Sequence, residues 1–156
     1  MIILGIDPGS SRIGFGAISL ERRLPGLITY GTIDILPKDE HQKLMEAVSR
    51  FSALLKEVSP DLMAIEKIYF SKNRKTAIAV AQTRGALIAE TQKNNIPVVE
   101  YDPSTVKKSV TGYGAADKKA VIKMVGIILK QNLTGFDDAS DALAIALTAA
   151  YHLPRQ

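Results

Sequence analysis

A mixed five-stranded α/β sheet, three strands in an antiparallel meander and two added in parallel, with helices on its faces, is the fold this sequence predicts. Three observations carry it. The first 36 residues hold three apolar or β-branched runs separated by turn residues. Beyond them, segments of helical period alternate with short apolar runs. The run Ile2-Ile3-Leu4-Gly5-Ile6 is apolar without alternation, as a central strand buried on both faces requires. The resulting alternation of strands and helices places helices on the sheet faces, and each strand that follows a helix enters parallel through a right-handed crossover.

The first strand is Ile2 to Asp7, followed by a turn at Pro8-Gly9-Ser10-Ser11. Gly14 to Ser19 is the second strand and Leu27 to Leu36 the third, with Leu24-Pro25-Gly26 as the turn between them. Asp39, with Gln42 at the capping-box position, opens a helix that runs to Val58. Its apolar face is Leu44, Met45, Val48, Phe51, Leu55 and Val58, and Ser59-Pro60-Asp61 breaks it. Leu62 to Glu66 is a short buried strand, Lys75 to Asn94 a second helix, and Ile96 to Tyr101 the fifth strand. Pro103-Ser104 starts a short helix to Val110, and Gly112-Tyr113-Gly114 forms a loop. Asp117 caps a helix to Lys130, and a last helix begins near Asp137 and ends before Pro154. No repeat or linker interrupts the chain, so residues 1–156 read as a single domain.

Composition narrows the function. With no cysteine, disulfides and thiolate zinc sites are excluded, and His41 and His152 lie too far apart to suggest a metal pair. No apolar run approaches the roughly 20 residues of a membrane span. The N-terminal apolar stretch lacks the basic flank of a signal peptide, so a cytoplasmic protein is the plain reading. Lys and Arg total 20 against 16 Asp and Glu, a net charge of +4. Setting aside a few carboxylates gathered at one site leaves a body more basic still, which suits a polyanionic substrate.

Four carboxylates stand where apolar segments should carry none without a purpose. Asp7 ends the first strand, Glu66 ends the fourth, and Asp138 and Asp141 open the apolar stretch of the last helix. An ionised carboxylate near a core is costly unless a cation or a hydrogen-bond donor compensates it. If the first and fourth strands are parallel neighbours, Asp7 and Glu66 emerge at one sheet edge. Asp138 and Asp141 are i and i+3 and share a helix face. Together they would form an oxygen cage for Mg²⁺, with Mn²⁺ as a substitute. Two cations about 3.5–4 Å apart would activate a water and stabilise the leaving oxygen of a phosphodiester. Simpler roles fit single members: turn chemistry for Asp7-Pro8-Gly9, and a first-turn carboxylate favoured by the helix dipole for Asp138. Asp39 and Asp137 read as caps.

The chain resembles the RuvC family, bacterial Holliday junction resolvases of the RNase H-like superfamily. The matching segments are Gly5-Ile6-Asp7-Pro8-Gly9-Ser10, Ala64-Ile65-Glu66, Ser71-Lys72-Asn73, Gln82-Thr83-Arg84-Gly85 and Asp138-Ala139-Ser140-Asp141-Ala142-Leu143-Ala144, and they span essentially the whole sequence. The resemblance implies an RNase H-like fold, with Asp7, Glu66, Asp138 and Asp141 as the catalytic, Mg²⁺-binding carboxylates. It implies a homodimer that nicks two strands of a four-way DNA junction symmetrically, and the RuvA–RuvB branch-migration complex as partner. A two-fold dimer matches a near two-fold junction, one site to each strand. The Ala-rich helix from Ala77 to Ala89 suits either the subunit interface or packing on its own sheet.

Basic side chains recur beside the loops expected to flank the site: Lys67, Lys72, Arg74 and Lys75, then Lys107 and Lys108, then Lys118, Lys119 and Lys123. They read as phosphate contacts that position DNA without reading its sequence, or as solvated faces. Lys107 and Lys118 match positions that the resemblance implicates in activity. Tyr69 and Phe70 fit stacking on an unpaired base or wedging into a junction. The family usually carries Phe where this chain has Tyr69, and Tyr keeps the stacking face. Arg12 fits a phosphate contact or a surface hairpin position equally. Other functions remain open on these residues: an RNase H-like nuclease acting on another branched or hybrid substrate, or a junction-binding module without catalysis. Asp7-Pro8-Gly9-Ser10-Ser11 also resembles the first phosphate loop of actin-like and sugar-kinase folds, which need two domains where this chain has room for one.

Overall fold

The computed structural model describes residues 1–36, 39–69, 74–133 and 137–154. Among the described residues, five strands and five helices appear in the predicted order. Strands β1 (Ile2–Asp7), β2 (Arg12–Glu21) and β3 (Leu24–Asp34) precede helix α1 (Glu40–Val58), strand β4 (Leu62–Glu66) and helix α2 (Arg74–Lys93). Strand β5 (Val98–Tyr101) is followed by helices α3 (Pro103–Thr111), α4 (Lys118–Leu129) and α5 (Asp137–His152). The sheet order is β3-β2-β1-β4-β5. The β1–β2 and β2–β3 pairs are antiparallel, and β1–β4 and β4–β5 are parallel, as predicted.

The sheet separates two apolar layers. On one face Leu4, Ile6, Met63 and Ile65 pack with Phe51, Leu54, Leu55 and Val58 of α1 and Leu87 of α2. On the other face Ile3, Ile18, Leu62 and Ala64 pack beneath α5, with Val106, Val110, Val121 and Val125 of α3 and α4 beside it. Helix α5 is the central helix, buried along nearly its whole length from Ala139 to Ala150. Its apolar residues occupy every side because sheet and helices surround it.

Three local expectations are corrected. The hairpin between β2 and β3 turns at Arg22-Arg23, with φ of 47° and 68°, rather than at Leu24-Pro25-Gly26. Two left-handed residues make the tight reversal that matches strand twist. Pro25 is tolerated within β3 because that strand lies at the sheet edge. Met45 does not join the apolar face of α1 and is 72% exposed, while Ala47 and Leu54 are buried instead. Strand β5 starts at Val98 rather than Ile96, because the Ile96 N–H still bonds back to the Thr91 carbonyl at the end of α2. The predicted caps hold at two helices. The Asp39 carboxylate accepts from the N–H groups of His41 and Gln42, and Asp117 accepts from Ala120.

Candidate active site

Side chains alternate between the two faces of a strand, so position parity decides where the strand-end carboxylates point. In β1, Ile3 faces α5 while Leu4 and Ile6 face α1. Asp7 therefore falls on the α5 face. In β4, Leu62 and Ala64 face α5 while Met63 and Ile65 face α1, which brings Glu66 to the α5 face as well. Ile6 pairs with Ile65 in the parallel ladder, so both carboxylates leave the sheet at the same edge.

Helix α5 reaches that edge because glycines stand where its first turns meet the sheet. A Cβ built on Gly5 would stand 2.0 Å from the Ala142 carbonyl oxygen, and one on Gly14 would stand 2.2 Å from that of Asp138. Neither position has room for a methyl group. Glycine there lets the helix backbone settle onto β1 and β2, which sets the height of its first turn over the strand ends. Asp138 and Asp141, one turn apart, then point toward Asp7.

One carboxylate oxygen from each of Asp7, Asp138 and Asp141 lies within 4.8 Å of the other two, and all three residues are half-buried. Glu66 stands outside this triad but lines the same cavity, about 260 Å³, with Asp7, Lys107, Lys118 and Asp141 among its walls. Burial, then the charges of Asp141, Glu66 and Asp138, push the Asp7 carboxyl up to about 7, and Lys118 opposes the shift. Burial and Asp141 raise Glu66, against the pull of Lys107. Burial also raises Asp141, although a hydrogen bond from Lys118 works the other way. The Lys118 ammonium lies 3.0 Å from Asp141 and 3.7 Å from Asp137. Its own burial favours the neutral amine, but the Asp141 bond and the surrounding carboxylates prevail and raise its pKa. Lys107 and Lys118 compensate the carboxylates only in part. Hard oxygen donors this close, with uncompensated negative charge, fit a divalent cation.

The structure thus brings together Asp7, Asp138, Asp141, Glu66, Lys107 and Lys118. Lys108 is exposed on α3 and is not among the residues lining the cavity. The Tyr69 ring is 61% exposed beside Glu66, and its hydroxyl donates to Asp102, which also pairs with Lys67. Phe70 and Lys72 lie outside the described residues, as does the Ser71-Lys72-Asn73 segment; for Arg74 and Lys75 only the helical backbone is described. Asp137 opens α5 and pairs with Lys118. Reading the sequence missed the close-approach glycines of β2 and left the role of Arg12 open. Gly14 and Gly16 alternate within β2, a pattern that signals close backbone approach. Arg12, read with two equal roles, pairs with Asp34 and lies 3.8 Å from Asp138 at the rim of the cluster.

A mixed sheet in this order, with a central helix over a carboxylate-bearing edge, defines the RNase H-like class of nucleases. The sequence model for crossover junction endodeoxyribonuclease RuvC matches residues 3–149. A relative of that name from Syntrophomonas wolfei is 45% identical over 150 residues, covering 94% of this chain and 87% of its own. One from Petrotoga mobilis is 43% identical, covering 94% and 91%. Among solved structures, T. thermophilus RuvC in complex with a Holliday junction substrate superposes with a TM-score of 0.88 at 29% identity, covering 97% of this chain and 94% of that one. The chain belongs to the RuvC family of crossover junction endodeoxyribonucleases. Nucleases of this family are metal-dependent, and no described helix is long and apolar enough to cross a membrane.

Proposed function

We propose that this chain resolves four-way DNA junctions in the bacterial cytoplasm by Mg²⁺-dependent, symmetric nicking of two strands, each subunit of a homodimer cutting one. The observation that carries the reading is the convergence of Asp7, Asp138 and Asp141, with Glu66 lining the same small cavity as Asp7 and Asp141. Asp7, Asp138 and Asp141 would hold the metal, with Glu66 supplying a further carboxylate from the end of the neighbouring strand. Two Mg²⁺ ions, when bound, would lower the pKa of an attacking water and stabilise charge on the leaving oxygen. Lys107 and Lys118 present positive charge in the cavity wall where negative charge grows on the phosphate.

Lys72, Arg74, Lys75 and Lys108 would anchor phosphates, and Tyr69 and Phe70 would stack on bases at the branch point. The face of α2 that carries Ile78, Gln82, Gly85 and Ala89 is solvent-exposed or partly so, and a Cβ on Gly85 would meet nothing within 4 Å. A second copy of the chain is the occupant that this reading assigns to it. The RuvA–RuvB complex would deliver the junction.

Cleavage of a labelled mobile four-way junction in Mg²⁺, with linear duplex and RNA–DNA hybrid as competitors, tests the proposal. Paired symmetric nicks on the junction alone are expected, and Glu66→Gln should abolish them while binding persists. Preferential cutting of the hybrid would move the function to a ribonuclease. Tight binding with no cutting would leave a junction-binding module.

A further inference from the structure

We infer that Arg84 is a positioning residue for the active site: its guanidinium holds the strand ends that carry Glu66 and lead to Lys107. This deepens the proposed function and rests on its assignment of Glu66. Arg84 sits in the middle of α2, yet its side chain turns back over the sheet edge and is only 17% exposed. Its Nε donates to the Glu66 carbonyl at 3.0 Å, and its Nη2 pairs with the Glu100 carboxylate. Glu66 is the last residue of β4 and sits opposite Tyr101, the last of β5. Immediately beyond, the Lys67 N–H bonds to the Tyr101 carbonyl, and the chain then enters α3 at Pro103. The guanidinium therefore grips both parallel strands where they leave the ladder, one toward the Glu66 carboxylate and one toward the Lys107 helix.

Arg84 acts on Glu66 through the backbone. The charges that move the Glu66 proton affinity are those of Asp141 and Lys107. Two donors of one rigid fork serve two acceptors on different strands, a geometry that the single ammonium of lysine does not reproduce. Glu100 is itself 44% exposed, so water can solvate it when its partner is removed. A half-exposed ion pair contributes little to folding. What Arg84 supplies is position.

The test compares Arg84→Met and Arg84→Lys with the wild type in three measurements: Mn²⁺ binding by calorimetry without DNA, junction binding with metal chelated, and single-turnover cleavage across a Mg²⁺ series. For Arg84→Met we expect Mn²⁺ binding weakened several-fold, a raised Mg²⁺ midpoint, and cleavage slower by roughly 10- to 100-fold. Junction affinity should stay within about twofold of wild type, and Arg84→Lys should fall between the two. Unchanged Mn²⁺ affinity and cleavage rate would overturn the inference and leave an ordinary surface ion pair. Junction affinity falling in step with cleavage, with a shallower salt dependence, would also overturn it and make Arg84 a phosphate contact. A wild-type chain that binds Mn²⁺ but cuts no junction would refute the proposed function, while the Mn²⁺ comparison would still decide the role of Arg84.

Discussion

Replacing Gly14 with alanine tests whether the height of α5 over the sheet sets the active site. The added methyl would lie 2.2 Å from the Asp138 carbonyl oxygen and 2.6 Å from its carbonyl carbon, where ordinary contact begins at 3.4 Å. The first turn of α5 must therefore withdraw by about 1 Å, since a packed interior has no slack to absorb the group. Overpacking of this kind costs about 1–3 kcal/mol. A displacement of about 1 Å at a metal ligand can slow chemistry by roughly 10²-fold. Cleavage of a junction at saturating Mg²⁺ should fall by that order, while junction affinity changes little because the DNA-facing surface is untouched. Thermal melting measures the stability cost in the same preparation. Wild-type cleavage with only a lowered melting temperature would refute the argument, since it would mean that the position of Asp138 does not depend on the closeness of α5.

Three further outcomes are expected. Asp7 holds its proton far more tightly when folded, at about 7, than at its ordinary 3.8, so its contribution to stability is full below about pH 4 and is lost as pH rises through about 7. In a chelator, melting temperature should decline over that range, and Asp7→Asn should stabilise the metal-free protein at about pH 8 by on the order of 2–4 kcal/mol while abolishing cleavage. A metal-free Asp7→Asn protein melting below wild type at that pH would contradict the sign. Lys118→Met should slow cleavage by roughly 10- to 100-fold with junction binding retained, measured by single-turnover kinetics beside a binding isotherm. Gly85→Arg should yield monomers by light scattering if a second copy covers α2, because a long charged side chain would enter that face.

Much of the architecture was legible because the signals were local. A continuous apolar run marked β1 as central, and the caps at Asp39 and Asp117 marked two helix starts. The four carboxylates stood out because each interrupts or ends an apolar segment, and the parallel pairing of β1 with β4 was enough to carry two of them to one edge. What stayed hidden depends on partners distant in sequence. Gly14 reads as a weak strand residue until Asp138 is seen lying on it. Arg84 reads as a surface cation on a helix until its fork meets Glu66 and Glu100. The hairpin was misplaced because Pro25 and Gly26 are strong turn residues, whereas the observed turn uses two arginines with positive φ. The absence of Glu66 from the tight carboxylate triad was likewise beyond sequence spacing.

The alternation along β1 and β4 makes the candidate site a matter of counting. Ile3 and Gly5 share the α5 face with Asp7, and Leu62 and Ala64 share it with Glu66. One residue gained or lost inside either strand would leave its composition almost intact yet send the terminal carboxylate into the apolar layer beneath α1 and α2. Point substitutions in these strands can be tolerated when volume is kept. Length changes cannot, and this asymmetry should hold the two strands rigid in length among relatives.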